Sequence, residues 1–381
     1  MNYNRTSILI LLAVVSIVFG TEYHIRTVNN LHNGTHIQKI VDKAIHATVI
    51  IETKPVDPAH EEAAKQVGAS GHGTGFFFKI TDTHAWIVTN HHVIQNKLKL
   101  PDMMKIDVTT AGRPWQYEAE VVGIDKVTDI AVLKIAKKDK ERIWQTLSFV
   151  KDYDLLKEGY PVISIGHGLG QFWSVSTGVI NATRRFAINP FNFLIQHDSV
   201  INMGNSGGPL LNMKGEVIGV NDLLLSPIGR DVKGWDGISL AIVGWQAERS
   251  IRHIMDKGFV LYPQYKFAID FPRLDEMPLQ DNVWKTPANQ PQLKRTYAKV
   301  TQVEKDPHAL EVGLQNEDLI YAVNGVEVWS MLHLIHEIMK RDVGDVVTFS
   351  ILRGEEHLKI DYKLPRMDIP NLTPEVVPLG K

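Results

Sequence analysis

The feature that most limits the fold of this chain is a succession of short apolar runs, each broken by turn-forming residues, from Gly73 to about Val243. They cover residues 76–80, 85–89, 117–122, 130–135, 162–165, 178–180, 193–195, 209–211 and 216–220. Runs of this length between Gly, Pro, Asn and Asp read as strands. Many strands with few helices over so long a stretch predict a mainly β unit, either a double barrel or a sandwich. A helix over 35–47, with Ile37, Ile40, Val41, Ala44 and Ile45 on one face, and a strand over 48–53 lead into it. Residues 54–72 are polar, carry Pro and Ala, and read as a loop.

Residues 245–257 read as a helix stopped by Gly258, and Pro263 opens a second region. That region holds an apolar run at 267–271, a Pro- and Asn-rich insertion at 281–292, strands at 297–303, 346–352 and 357–363, and a helix at 330–341. A length of 381 residues with 44% hydrophobic and 22% charged content suits two or three globular domains. The expected division is 35–258 and 262–365, with a loose tail over 366–381. Arg5 followed by the apolar run 8–19 and Val18-Phe19-Gly20 makes 1–20 an export signal, cleaved or kept as an N-terminal anchor, and 21–34 a spacer. The run is shorter than the roughly 20 residues a spanning helix needs, and no later stretch is longer. The absence of cysteine excludes disulfides, a thiol nucleophile and thiolate metal sites. A net charge of −2 offers no electrostatic case for nucleic acid, or for a membrane beyond an uncleaved anchor.

Within the first region, Gly204-Asn205-Ser206-Gly207-Gly208-Pro209 sits between apolar residues as a turn between strands. Glycines there permit backbone angles closed to other residues and leave a serine uncovered. Such a turn can aim consecutive N–H groups at one point, as an oxyanion requires. A serine nucleophile needs a base, and the 85–89 run ends on Asn90-His91-His92. The base needs an orienting acid. Asp129 stands at the mouth of the 130–135 run, where an unpaired carboxylate would be costly and an imidazole N–H is the natural partner. The order His, Asp, Ser is one of those in which such triads occur.

Thr89-Asn90-His91-His92-Val93, Thr128-Asp129-Ile130-Ala131-Val132-Leu133 and Gly204-Asn205-Ser206-Gly207-Gly208-Pro209-Leu210 resemble the three active-site motifs of the HtrA/Deg serine proteases. The likeness runs from about Thr35 to Pro365. It implies a chymotrypsin-like double β-barrel followed by one PDZ domain. It further implies His92 as general base, Asp129 as orienting acid, Ser206 as nucleophile, and an oxyanion hole from the amides of Gly204, Asn205 and Ser206. His91 is expected to be structural, and a His91/His92 metal pair is disfavoured because neighbours on a strand point to opposite faces. Asp125 is expected to cap a turn. Ile238, Ser239, Leu240 and Ala241 resemble the wall of the primary pocket and imply cleavage after small or aliphatic residues. Residues 168–173 and 223–235 correspond to activation loops.

In the second region, Ala309 to Gly325 resembles the core motif of a PDZ domain, which binds a peptide C-terminus as an added strand. The peptide-binding segment falls at Lys266, Phe267, Ala268 and Ile269, where the usual glycine is missing. The likeness implies an exported endopeptidase acting on unfolded, damaged or C-terminally exposed polypeptides, assembled as a homotrimer, with no cofactor and no metal. Two other readings are a regulatory protease gated by C-terminal peptides and a chaperone or binding protein that cuts little.

Overall fold

The computed structural model describes residues 36–66, 70–112, 116–137, 144–168, 173–186, 191–222, 238–270, 298–328 and 331–367. The expected leader, the spacer, the 281–292 insertion, most of both activation loops and the tail from residue 368 lie outside them. Helix α1 (36–47) buries Ile40 and Ala44 of the expected face and leaves Ile37, Val41 and Ile45 half-buried, while Ala47, outside that face, is buried too. β1 (Thr48–Pro55), β2 (Gly71–Ile80), β3 (His84–Asn90), β4 (Met104–Thr110), β5 (Gln116–Asp125) and β6 (Ile130–Ala136) then close into one barrel, ordered β1-β2-β3-β6-β5-β4. β7 (Pro161–Gly166), β8 (Ser174–Phe186), β9 (Phe193–His197), β10 (Pro209–Leu211), β11 (Val217–Asn221) and β12 (Ser239–Val243) close a second, ordered β10-β11-β12-β9-β8-β7. Of the two alternatives, the double barrel is the one that forms.

Strand alternation explains how the barrels meet. Val49, Ile51, Phe77, Ile87 and Leu133 fill the first barrel. Their neighbours of opposite parity, Phe76, Val88 and Val132, point out of it and pack with Ile163, Ile165, Leu211 and Ile242 of the second. Because successive side chains leave a strand on opposite faces, these strands bury both faces and read as continuous apolar runs. The catalytic candidates sit at the edge of this seam.

The structure departs from the expected elements in three places. The loop expected over 54–72 contains a 3₁₀ turn, Pro58–His60, and α2 (Glu61–Gln66). Asp57 caps that turn by accepting from Ala59 N at 2.9 Å, and Glu61 and Glu62 suit the first turn of α2. Second, β4 was not among the expected strands. Third, His91 and His92 do not continue a strand: they open α3 (His91–Lys99).

Helix α4 (Gly244–Lys257) ends on Gly258 in the left-handed conformation, φ 79°. Beyond it lies a six-stranded sheet of β13 (Ala268–Asp270), β14 (Ala298–Thr301), β15 (Leu319–Val323), β16 (Val326–Glu327), β17 (Val346–Arg353) and β18 (Glu356–Lys363). Its path is β13-β14-β15-β17-β18, with β16 on β15. Helices α5 (Pro307–Glu311) and α6 (Met331–Met339) accompany the sheet. α6 docks on the second barrel: Ile335 and Met339 share a buried cluster with Val162, Ile180 and Phe193. Asp342, just past α6, meets Arg249, Arg252 and His253 of α4 at 3.3, 2.9 and 2.8 Å. Among the described residues no helix is long and apolar enough to cross a membrane.

Candidate active site

Where β3 gives way to α3, the chain folds over Asp129. His91 N donates to the Asp129 carbonyl at 3.0 Å, and Asn90 Nδ2 donates to the same oxygen at 2.9 Å. His92 N donates to Asp129 Oδ1 at 2.8 Å, and His92 Nδ1 lies 2.5 Å from Asp129 Oδ2. His91 Nδ1 is 3.6 Å from Oδ1. Both histidines therefore converge on one carboxylate. The expectation that they face opposite ways fails because they lie in a helical turn, where adjacent side chains do not alternate. Burial would raise the Asp129 carboxyl, but hydrogen bonds from His91 and His92 outweigh it and hold the group well below the usual carboxylate range. An ionised Asp129 can only accept, so Nδ1 of His92 carries the shared proton, and in a neutral ring Nε2 is then the nitrogen that bears the lone pair.

Ser206 is buried in a turn that the first barrel grips. Thr74 N of β2 donates to the Ser206 carbonyl at 2.8 Å, and Thr74 Oγ1 donates to the Gly204 carbonyl at 2.6 Å. Thr89 Oγ1, on the strand that leads to His92, donates to the Thr74 carbonyl at 2.7 Å. At Gly207, φ 85°, a Cβ would stand 2.1 Å from the Thr74 carbonyl oxygen and 2.3 Å from Thr89 Oγ1. Only glycine lets the residue after the serine lie this close to β2 and β3. Thus the serine turn of one barrel is locked against the strand that presents the histidine of the other. Gly204, at φ 102°, is forced likewise by the His167 carbonyl, 2.4 Å from where its Cβ would be. His167 itself is pushed down to about 3 by burial and the nearby His72.

Of the three oxyanion candidates, Asn205 N donates to the Asn202 carbonyl at 2.9 Å. Asp125 does close a turn, accepting from Val127 N and Thr128 N at 3.1 and 3.4 Å. The pocket candidates are dispersed. Ile238 is exposed, Ser239 Oγ donates to the Ser199 carbonyl at 2.8 Å, and Leu240 and Ala241 point into two different buried clusters. Sequence reasoning missed Asp222, which directly follows β11. A nitrogen of His92 and carboxylate oxygens of Asp129 and Asp222 all lie within 4.8 Å of one another. Nothing local in Val220-Asn221-Asp222 announces this, since the docking of the second barrel on the first brings the groups together.

Among the described residues of the second domain, β13 stands at the end of the sheet, paired with β14. Lys266, Phe267 and Ala268 line a cavity of about 300 Å³ together with Ile335, Ile338 and Met339 of α6 and with Phe191 of the barrel. Phe267 is largely committed to the core, stacking on Tyr265 and meeting Phe349 and Tyr362. Lys266 N donates to Asp306 Oδ2 at 3.2 Å, and Ile269 lies in β13, packed against the sheet core. On α6, His333, His336 and Glu337 also gather ligand atoms within 4.8 Å. Arg184 Nη1 donates to His333 Nε2 at 3.1 Å and Lys340 Nζ to Glu337 Oε1 at 3.0 Å. Two cations at that cluster favour a polar bridge between domains over a cation site.

Known proteins match this arrangement domain by domain. The trypsin-like peptidase domain family matches residues 73–220, and the PDZ domain family matches 285–364. A probable periplasmic serine endoprotease, DegP-like, of Chlamydia trachomatis is 34% identical over 339 residues, 84% of this chain and 62% of that protein. The periplasmic serine endoprotease DegP of Escherichia coli K12 is 29% identical over 283 residues, 73% of this chain and 54% of that protein. The chain thus spans little more than half to three fifths of the length of these curated relatives. A solved HtrA-type protease, AlgW with a tripeptide, shares the fold at a TM-score of 0.62 and 22% identity, covering 87% of this chain and 97% of its own. With its peptidase and PDZ domains matched in this order on a double barrel and a following sheet, the chain belongs to the HtrA/Deg-type serine proteases.

Proposed function

We propose that this chain is an exported serine endopeptidase of the cell envelope that hydrolyses unfolded or damaged polypeptides. The observation that carries the reading is the 2.5 Å contact between His92 Nδ1 and Asp129 Oδ2, beside a serine turn gripped by the strand leading to His92. Ser206 Oγ attacks the scissile carbonyl while His92 Nε2 takes its proton. Asp129 keeps the proton on Nδ1 and stabilises the imidazolium that forms. The amides of Gly204 and Ser206 receive the oxyanion, the acyl-enzyme forms as the amine leaves with the proton from His92, and water then reverses the sequence. Nothing in this scheme requires a metal or cofactor.

The peptidase domain occupies 35–258 and the PDZ domain 262–365 in this reading. The edge that β13 presents among the described residues and the cavity beneath α6 suit a peptide C-terminus added as a strand. Phe191, a barrel residue lining that cavity, favours a variant in which bound peptide modulates cleavage. The relatives' periplasmic names support export, and assembly as a homotrimer is part of the same proposal. The purified chain should degrade unfolded casein, and Ser206→Ala should reduce the rate by at least about 10³-fold. Equal degradation by the two proteins would sink the reading.

A further inference from the structure

The turn between β5 and β6 that carries Asp129 is built on a second carboxylate that takes no part in the triad. Asp125 Oδ1 accepts from Val127 N and Thr128 N. Its Oδ2 accepts from Thr128 Oγ1 at 2.6 Å, from Ser250 Oγ of α4 at 2.5 Å, and from the Tyr262 hydroxyl. Asp125, Thr128, Ser250 and Tyr262 are all buried, at 3, 0, 0 and 5% exposure. A carboxylate met by five donors is well satisfied away from water, so the turn has one favoured shape. That shape matters at the next residue. Asp129 adopts φ 57°, a left-handed conformation that a side chain keeps only where its surroundings impose it.

Four of the five donors come from the turn or from the helix packed on it. Tyr262 is different, because it belongs to the connector between the domains. Its carbonyl accepts from Met367 N at 2.8 Å, and Gln264 N beside it donates to the Pro365 carbonyl at 3.0 Å. The Arg249 guanidinium lies 5.2 Å from the centre of its ring and also reaches Asp342. The hydroxyl is thus held in place by contacts with the end of the second domain.

We propose that Tyr262 is a positioning residue for Asp129, its hydroxyl acting through Asp125 and Thr128 to hold the turn that aims the Asp129 carboxylate at His92. The inference rests on the reading of His92, Asp129 and Ser206 as a triad, but it can be tested without turnover. Tyr262→Phe in the full chain removes one oxygen. The downfield proton resonance of His92 Nδ1–H shared with Asp129 should move or broaden. The kcat on a casein-derived peptide should fall about tenfold with KM unchanged, a fraction of the ~10⁴-fold that follows loss of the orienting carboxylate. Asp125→Asn should do the same, and the double variant should be no slower than the slower single one. If Tyr262→Phe does not fold, Asp125→Asn carries the same readouts. A lowered Tm with kcat and the His92 proton both unchanged would overturn the proposal, as would losses that multiply in the double variant. A wild-type chain that neither cleaves nor labels would overturn the triad reading; the His92 proton would still decide this one.

Discussion

Asp129 is the point at which most of the site chemistry converges: two histidine rings, three backbone or amide donors and a left-handed backbone meet at one residue. Its neighbour Asp222 brings a second carboxyl group within 4.8 Å of both His92 and Asp129. A carboxylate there favours the imidazolium form, so Asp222→Asn should lower the pKa of His92. The acidic limb of the kcat/KM profile should then move to lower pH by about half a unit to one unit. A pH–rate profile superimposable on wild type would show that Asp222 does not act on His92. The three triad candidates were legible in the sequence because each stands in a short motif whose local neighbours reveal it. Asp222 and Tyr262 were not, because their partners are reached through the docking of one barrel on the other and of the second domain on both.

At the level of elements, β2 shows what local reading can and cannot do. Its first residues, Gly71, Gly73 and Gly75, look like a loop end, yet they lie in the strand. Each glycine makes room for a neighbour: a Cβ on Gly73 would stand 2.6 Å from Val93 Cγ2 and 3.1 Å from the Ser206 carbonyl oxygen. Gly73→Ala should therefore push α3 and the serine turn apart. A loss of about 1–3 kcal/mol in stability is expected from overpacking. A fall in kcat of about 10- to 100-fold is expected from misplacing the base. An unchanged kcat in a folded variant would separate this packing from catalysis. The same tertiary logic explains the missed α3, whose Asn90 cap makes no side-chain bond to its own helix and whose first turn is fixed from outside by Asp129. The strands with continuous apolar runs were legible because burial on both faces leaves a composition signal even without alternation.

Across the whole molecule, the two barrels and the docked second domain bury several histidines in neutral form. His167 is pushed down to about 3 and His197 to about 4, chiefly by burial, and His333, between the domains, to about 4 by burial and Arg184. The unfolded chain takes up protons at these groups as pH falls through about 6.5, whereas the folded chain resists until their own lower values are reached. Stability should therefore be greatest above pH 7 and decline from about pH 6.5 toward 4, on the order of 1 kcal/mol per histidine per pH unit. His197→Asn should make the decline shallower. A Tm that is flat or rising over that range would contradict the burial argument. Tyr262 belongs at this scale too, because it ties the turn before Asp129 to a connector that both domains hold.

The most direct test of the central claim is the intact mass of the purified chain after exposure to a fluorophosphonate, with the adduct mapped by peptide sequencing. One adduct per chain is expected, on Ser206, absent in Ser206→Ala and strongly slowed in His92→Ala and Asp129→Asn. A wild-type chain left unmodified while folded, or modified equally well without His92, would contradict it.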